Sequence, residues 1–140
     1  MRVSIDALEV RNDALRGAGN FAAAMRALEI YYSVGFKPKV LMRVTSQSLP
    51  DLEELICLLI EKKFTRINLN GFRPIGRGRT HWELMVNTDD VRETLKRVQS
   101  SNFQAPSSED ENPQSAVELR CRFFPEHHAE RRCFSVSYFD

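Results

Sequence analysis

Two patterns of apolar positions alternate along the N-terminal part of the chain. Apolar residues at alternate positions, which are typical of strands, occur at residues 2–7, 40–45 and 66–72. Each of these stretches precedes a segment with apolar residues three or four positions apart, at about residues 20–33, 48–63 and 88–98. This order predicts an α/β fold made of three consecutive βα units that share a parallel sheet.

The predicted helices have recognisable ends. Asn20, Ser48 and Thr88 are predicted N-caps, and Gly35 is a predicted helix stop. Pro50 favours the first turn of the second helix. Between the first strand and the first helix, residues 9–19 form a polar, glycine-containing stretch.

The C-terminal part of the chain has a different composition. Residues 101–116 are rich in Ser, Pro, Asn, Asp and Glu, which predicts a disordered linker. Residues 117–140 contain aromatic residues again and predict an irregular or β tail, with strands at about 117–123 and 133–139.

Charge and cysteine content narrow the functional classes. Twenty basic and nineteen acidic residues give a net charge of +1, which offers no electrostatic case for nucleic acid or an anionic membrane as the main partner. No apolar run approaches bilayer length and no signal peptide is evident, so a cytoplasmic location is predicted. The three cysteines form no CxxC and predict no disulfide framework, and Cys57 is predicted to be a small buried apolar residue.

Polar residues near the ends of the predicted strands are candidates for ligand binding, because ligands of parallel α/β folds gather at the carboxyl ends of the strands. Hydroxyl and carboxylate groups there suit a ribose or an amine, and arginines suit a carboxylate or a phosphate. Polar residues also occur at strand ends simply because strands emerge into solvent. The candidates are Ser4, Asp6, Arg43, Thr45, Asn68, Asn70 and Arg73.

Four short runs carry a resemblance to a known family. They read VSID at 3–6, RNDALRG at 11–17, GNF at 19–21 and GFRPIGRG at 71–78. Together they resemble radical S-adenosylmethionine (radical SAM) enzymes, and most closely the peptide- and cofactor-maturase branch that has an auxiliary-cluster SPASM tail. The resemblance covers about residues 2–98. It implies that residues 1–100 are the fourth to sixth units of a partial (β/α)6 TIM-type barrel.

The resemblance also implies a binding site and an activity. Ser4 would contact the ribose or the amino-acid moiety of S-adenosylmethionine (SAM), Asp6 and Arg16 would shape the same region, and Thr45 would line the pocket. The loop from Arg73 to Arg77 would close over the adenine or the substrate. The parent enzyme would use a [4Fe-4S] cluster to cleave SAM reductively and would modify a peptide or cofactor precursor.

The sequence departs from the family pattern in three places. Ala7 stands where family members have glycine, and Asn12 stands where they commonly have histidine. The cluster-binding CxxxCxxC motif does not occur in this sequence. The resemblance therefore implies a fragment or degenerate member that holds no cluster and is inactive alone.

The tail has weak metal-binding candidates. Cys121 and Cys133 resemble the opening of a SPASM region, which makes residues 117–140 a truncated start of such a region. His127 and His128 lie between them, although this spacing is not a zinc-finger pattern. The alternative interpretation is two unpaired thiols and two surface histidines.

Two other readings of the whole chain stay open: a non-catalytic α/β binding module and a purely structural domain. Arg77 and Arg79 near Trp82 are too few to indicate nucleic-acid binding. A half-barrel would have open sheet edges, so self-association is predicted unless residues 101–140 cover them.

Overall fold

A computed structural model describes residues 1–102, 118–122 and 135–137. Its elements alternate between strands and helices, as predicted. In chain order they are β1 (Arg2–Ser4), α1 (Glu9–Arg16), α2 (Asn20–Ser33), β2 (Lys39–Val44), α3 (Leu52–Glu61), β3 (Arg66–Gly71), α4 (Thr88–Asn102), β4 (Glu118–Arg122) and β5 (Ser135–Ser137). Short 3-10 turns lie at Leu49–Asp51, Gly76–Gly78 and Trp82–Leu84.

The strands form one sheet in the sequential order β1-β2-β3-β4-β5. The first four strands are parallel, and β5 pairs antiparallel with β4. The predicted α/β class and parallel βα units are therefore confirmed. The tail extends this sheet, because β4 pairs with the edge of β3 that the three predicted units alone would leave open.

The core lies on one face of the sheet. Alternate strand residues such as Val40, Met42, Ile67 and Leu69 are at most 1% exposed, and they pack with apolar residues of α2, α3 and α4. Because each strand pairs with the next one along the chain, right-handed crossovers place all the connecting helices on this same face. Helices on a single face are expected of a barrel-like α/β arrangement, whereas a doubly wound sheet has helices on both faces.

Several predicted local features differ in the structure. Residues 9–16 form a helix, α1, in the stretch predicted only as polar and glycine-containing. Helix α4 runs to Asn102, which is two residues into the predicted linker, and residues 103–117 lie outside the described residues. Cys57 is half-buried, so its predicted full burial is wrong.

The helix starts also differ in detail from the predicted N-caps, and each for a physical reason. The α2 N-cap is Gly19 in a left-handed conformation (φ 76°), and the capping oxygens come from Asp13 in the preceding helix. Ser48 stands at the predicted N-cap position, before the 3-10 turn that leads into α3, but its hydroxyl turns back to the end of β2 and makes no capping hydrogen bond. At α4, the side chain of Asn87 accepts the N–H of Asp89 at 2.8 Å, so Asn87 takes the role predicted for Thr88.

Among the described residues, we find no helix that combines the length and the apolar character needed to cross a bilayer.

Candidate functional site

The carboxylate of Asp6 joins three elements just beyond the end of β1. One oxygen accepts the backbone N–H of Arg43 at 2.7 Å. The other accepts Nε of Arg16 at 2.8 Å and pairs with a second guanidinium nitrogen at 2.6 Å. Both oxygens are therefore used inside the protein, which makes Asp6 a positioning group that ties β1, β2 and α1 together.

Helix α1 is held over this region mainly by polar contacts. Asn12 is fully buried, and its side chain accepts the N–H of Asp6 at 3.0 Å and donates to Asn20 at 3.1 Å. Asp51 accepts the N–H of Leu8 at 3.1 Å and pairs with Arg11. Asp51 is buried at the end of the 3-10 turn that precedes α3. Its partners are about forty residues away in the chain, and no local sequence pattern indicates such a pair.

A tight turn follows β2. The hydroxyl of Ser48 accepts the N–H of Thr45 at 2.9 Å, and the hydroxyl of Thr45 accepts the N–H of Ser48 at 3.1 Å. Ser48 is 2% exposed. Thr45 is thus partly engaged in this turn, and its predicted role of lining a SAM pocket stays a prediction.

The loop after β3 docks on the same turn. Ser46 donates its N–H to the carbonyl of Leu84 at 3.1 Å and its hydroxyl to the carbonyl of Glu83 at 2.6 Å. The hydrogen bond to His81 holds the pKa of the Glu83 carboxyl below its usual value. Residues 81–85 therefore lie at the carboxyl end of the sheet, against the end of β2.

The arginine-containing part of this loop is internally ordered. Gly76 has a positive φ of 59°, and the ring of Phe72 lies 3.0 Å from where a Cβ of Gly78 would stand. A side chain at either glycine would disturb the turn, so the glycines of the GFRPIGRG run fix the path of the loop between Arg73 and Arg79. Arg77 is exposed within the short 3-10 turn.

The structure brings some predicted site residues together and separates others. Asp6 and Arg16 are in direct contact, and Thr45 and Arg73 follow the ends of adjacent strands. Ser4 lies beside Leu41, whereas Thr45 directly follows the end of β2, four residues after Leu41 (45 − 41 = 4). At about 3.3 Å per residue, this separates the two by about 13 Å along the strand direction. A ligand that contacts both residues must be elongated.

The sheet face opposite the core is polar and cationic. Register places Ser4, Leu41, Asn68 and Arg120 in one row across the four parallel strands. The next row toward the carboxyl end contains Arg43 and Asn70. We call this surface the open face, because the helices pack on the other side. Arg43, Asn68 and Asn70 are predicted from the sequence as separate strand-end residues, whereas Arg120 is not, because strand register cannot be read from the sequence.

The cysteines offer no cluster site within the described ranges. Cys121 is 6% exposed in the core, and burial raises the pKa of its thiol to about 11, which disfavours the thiolate that binds metals. Cys133 and the two tail histidines lie outside the described residues. Within the described residues, no group of three or more His, Cys, Asp or Glu side chains could hold a metal ion.

Comparison with known proteins finds similarity to the mycofactocin maturase MftC of several mycobacterial species. Mycofactocin maturase MftC of Mycolicibacterium smegmatis is 35% identical over 97 residues, which is 68% of this chain and 24% of that protein. MftC of Mycobacterium ulcerans is 35% identical over 85 residues, which is 59% of this chain and 23% of that protein. The chain is similar to mycofactocin maturases.

MftC of Mycobacterium tuberculosis strain CDC 1551 is 32% identical over 97 residues, again 68% of this chain and 25% of the maturase. The similarity to MftC supports the resemblance to radical SAM enzymes. No family model matches the chain. The match spans about a quarter of the length of each MftC protein.

Proposed function

We propose that residues 1–100 form the fourth to sixth βα units of a radical SAM barrel and provide part of a SAM-binding surface. The observation that carries this proposal is the sequential parallel order of β1, β2 and β3, with helices on one face and a polar open face on the other. In a barrel, that open face would line the interior. The similarity to MftC supports the same assignment.

The chemistry of the open face fits SAM. Ser4 offers a half-buried hydroxyl to a ribose, and Asn68 and Asn70 offer amide groups on neighbouring positions of β3. Arg73 and Arg77 lie on the loop at the carboxyl end of the sheet, where a guanidinium suits a carboxylate. Asp6 and Arg16 would act by fixing the end of β1, since they are paired with each other. Thr45 would contact the far end of an elongated ligand.

The described residues do not fit a [4Fe-4S] cluster. Such a cluster needs several thiolates close together, whereas Cys57 lies on α3 and the Cys121 thiol is buried in the core with a raised pKa. We therefore assign no redox step to these residues. Their proposed contribution is to bind and orient SAM and a peptide or cofactor precursor.

We also propose that the tail is a SPASM-like segment that begins near residue 117, after a linker that starts where α4 ends at Asn102. Strand β4 attaches the start of this segment to β3. One observation favours the alternative function, a non-catalytic binding module. Both oxygens of Asp6 and the hydroxyl of Thr45 already have protein partners, so these groups are less available to SAM.

The direct test is SAM binding by the full chain, measured by isothermal titration calorimetry. We expect weak binding that Ser4→Ala reduces. Ser100→Ala is the matched control, because that exposed serine lies on α4 and its hydroxyl donates to the carbonyl of Lys96 in the same helix. If SAM at millimolar concentration gives no heat, or if the two serine variants bind SAM equally well, the proposed SAM surface is wrong.

A further inference from the structure

Strand β1 lies at an edge of the sheet that the tail does not cover. The sequence predicts self-association through open edges unless residues 101–140 cover them, and β4 covers the edge of β3. Among the described residues, β1 pairs with β2 alone. A strand edge of this kind carries backbone groups that can pair with a strand of another chain.

The hydrogen bonds of this segment show which groups face the open edge. Ile5 donates its N–H to the carbonyl of Leu41 at 3.0 Å, so the odd-numbered residues of the segment bond to β2. The backbone groups of successive strand residues point to opposite sides. The N–H and carbonyl groups of Arg2 and Ser4 therefore point away from β2, toward the open edge.

Helix α2 carries a row of apolar residues on the flank that points toward the same edge. Leu28 is buried in the core, and Glu29 pairs with Lys62 at the end of α3. Since α3 connects β2 to β3, the other flank of α2 points toward the β1 edge. At 3.6 residues per turn, Ala27 and Tyr31 lie on that flank, opposite Glu29. We call this row the α2 seam, and its half-buried or exposed members recur three or four positions apart: Ala24, Ala27, Tyr31 and Val34.

The strand edge and the α2 seam lie at the same level along the strand direction. The side chain of Asn12 joins the N–H of Asp6 to the side chain of Asn20, so α2 begins near the level of residue 6. Ala27 lies about 10 Å further along α2, toward the amino ends of the strands, and this distance equals about three strand residues. Ala27 is therefore about level with Val3, the middle residue of β1.

The dimensions of the sheet allow the edge and the seam to be used together. If two copies of β1 paired at a spacing of about 4.8 Å, the middle of each β1–β2 pair would lie about 4.8 Å from the two-fold axis. A helix that crosses over this pair would be about 9.6 Å from its copy, and packed helices are about 8–10 Å apart. Small seam residues such as Ala24 and Ala27 suit this close approach.

We propose that β1 and the α2 seam form a two-fold interface with a second copy of this chain. Strand β1 pairs antiparallel with its copy, with Val3 at the axis, so that Arg2 and Ser4 exchange backbone hydrogen bonds with Ser4 and Arg2 of the other copy. The α2 seam packs against the same seam of the second copy. Such a dimer does not require SAM binding, so this proposal and the proposed function can fail independently.

The surface is self-complementary, which favours a second copy as its occupant. The antiparallel register pairs all the outward backbone groups of β1 and places Arg2 opposite Ser4, so like charges do not stand opposite each other. The charged residues of α2 are Arg26 and Glu29, and both lie outside the seam. A two-fold contact uses the same patch on both chains and stops at two copies.

The experiment measures the mass of the full chain by analytical ultracentrifugation over a wide range of concentrations. Ala27→Glu changes the seam, and its matched control is Ala22→Glu, at an exposed position on another side of α2. Arg2→Pro removes the outward N–H of Arg2, and its matched control, Arg2→Ala, removes the same side chain but keeps that N–H. Circular dichroism checks that each variant is folded.

We expect a monomer–dimer equilibrium for the wild-type chain. Ala27→Glu and Arg2→Pro should each raise the dissociation constant about tenfold or more, because one brings a carboxylate of each copy into an apolar seam and the other removes strand hydrogen bonds. Ala22→Glu and Arg2→Ala should change it by less than about threefold.

Three results would overturn the proposal. A wild-type mass of one chain at every concentration would leave the β1 edge to a different kind of partner. Growth beyond two copies would contradict a two-fold contact, because such a contact closes. A dimer that persists equally in folded Ala27→Glu and Arg2→Pro, or that Ala22→Glu weakens as much as Ala27→Glu, would form through another surface.

Discussion

Helices α1 and α3 are held in the molecule by opposite means. Helix α3 buries four apolar side chains against the sheet: Leu52, Leu55, Ile56 and Leu59. The one buried residue of α1 is a polar one, Asn12, and exposed Val10 and Leu15 lie on the same helix. One helix is fixed by the apolar core, and the other by hydrogen bonds and ion pairs.

This difference has consequences for stability and for the site. Burial of apolar area stabilises α3 without regard to precise geometry, so the helix is part of the cooperative core. Helix α1 depends on a few directional contacts to Asp6, Asn20 and Asp51. We expect it to open at lower free energy than the core, and its residues Asn12 and Arg16 bind Asp6, just beyond the end of β1.

The largest expected effect belongs to the apolar helix. Leu55→Ala removes a side chain that is fully buried, and we expect the free energy of unfolding to fall by about 3 kcal/mol. Urea denaturation followed by circular dichroism measures this change. Glu54→Ala, at an exposed position next to it, should change stability by less than about 0.5 kcal/mol. Similar losses in both variants would contradict the assignment of α3 to the core.

The next effect concerns the buried amide of α1. Asn12→Leu keeps the branched shape of the side chain but leaves the N–H of Asp6 and the side-chain oxygen of Asn20 without this partner, so we expect a loss of about 2 kcal/mol. Ala14→Leu adds the same side chain at an exposed position of the same helix and should be nearly neutral. If Asn12→Leu stabilises the protein, the polar attachment of α1 is not what holds the helix.

The same contrast explains how much of the structure could be predicted from the sequence. The apolar pattern of residues 52–60 predicted α3 correctly, because a helix that packs on a core must repeat its apolar residues at helical spacing. Helix α1 has no such repeat, and it was missed. The starts of α2 and α4 differ from the prediction because Asp13 and Asn87 accept the helix N–H groups from positions that propensity alone does not favour over Asn20 or Thr88.

For the candidate site, the sequence predicted which residues lie near the strand ends but not how they pair. Ser4 and Thr45 are predicted to contact one ligand, but the parallel register pairs Ser4 with Leu41, four residues before Thr45. The Asp6–Arg16 contact joins residues whose spacing gives no local signal. The cationic open face could not be predicted from the sequence, because it depends on strand register. The register pairs Arg43 with Asn70, and it places Leu41, Asn68 and Arg120 in one row.

A smaller effect tests the ion pair that anchors the start of α1. Asp51→Asn keeps the shape of the side chain but removes the charge that pairs with Arg11, and one acceptor oxygen is lost. We expect the free energy of unfolding to fall by about 1 kcal/mol, with the largest rise in amide hydrogen exchange within α1. Asp89→Asn, whose side chain is 76% exposed, is the control. Exchange that rises equally in α3 would show that Asp51 supports the whole core.

The smallest effect is a pH dependence at the junction of the two N-terminal helices. The carboxylate of Asp13 accepts the N–H groups of Phe21 and Gly19, and the bond from Phe21 is the main cause that lowers its pKa below 3.8. A lowered pKa in the folded state means that the stabilisation is present above pH 3.8 and is lost as the pH falls through the folded value. Asp13→Asn keeps one acceptor oxygen and cannot titrate. Wild-type protein should therefore be more stable than Asp13→Asn at neutral pH, and the stability of the two proteins should converge in acid.

Urea titrations between neutral and acidic pH measure the difference in the free energy of unfolding, with Glu54→Gln as a control for general charge effects. A stability gap that stays constant with pH would show that the ionised carboxylate of Asp13 does not hold the start of α2.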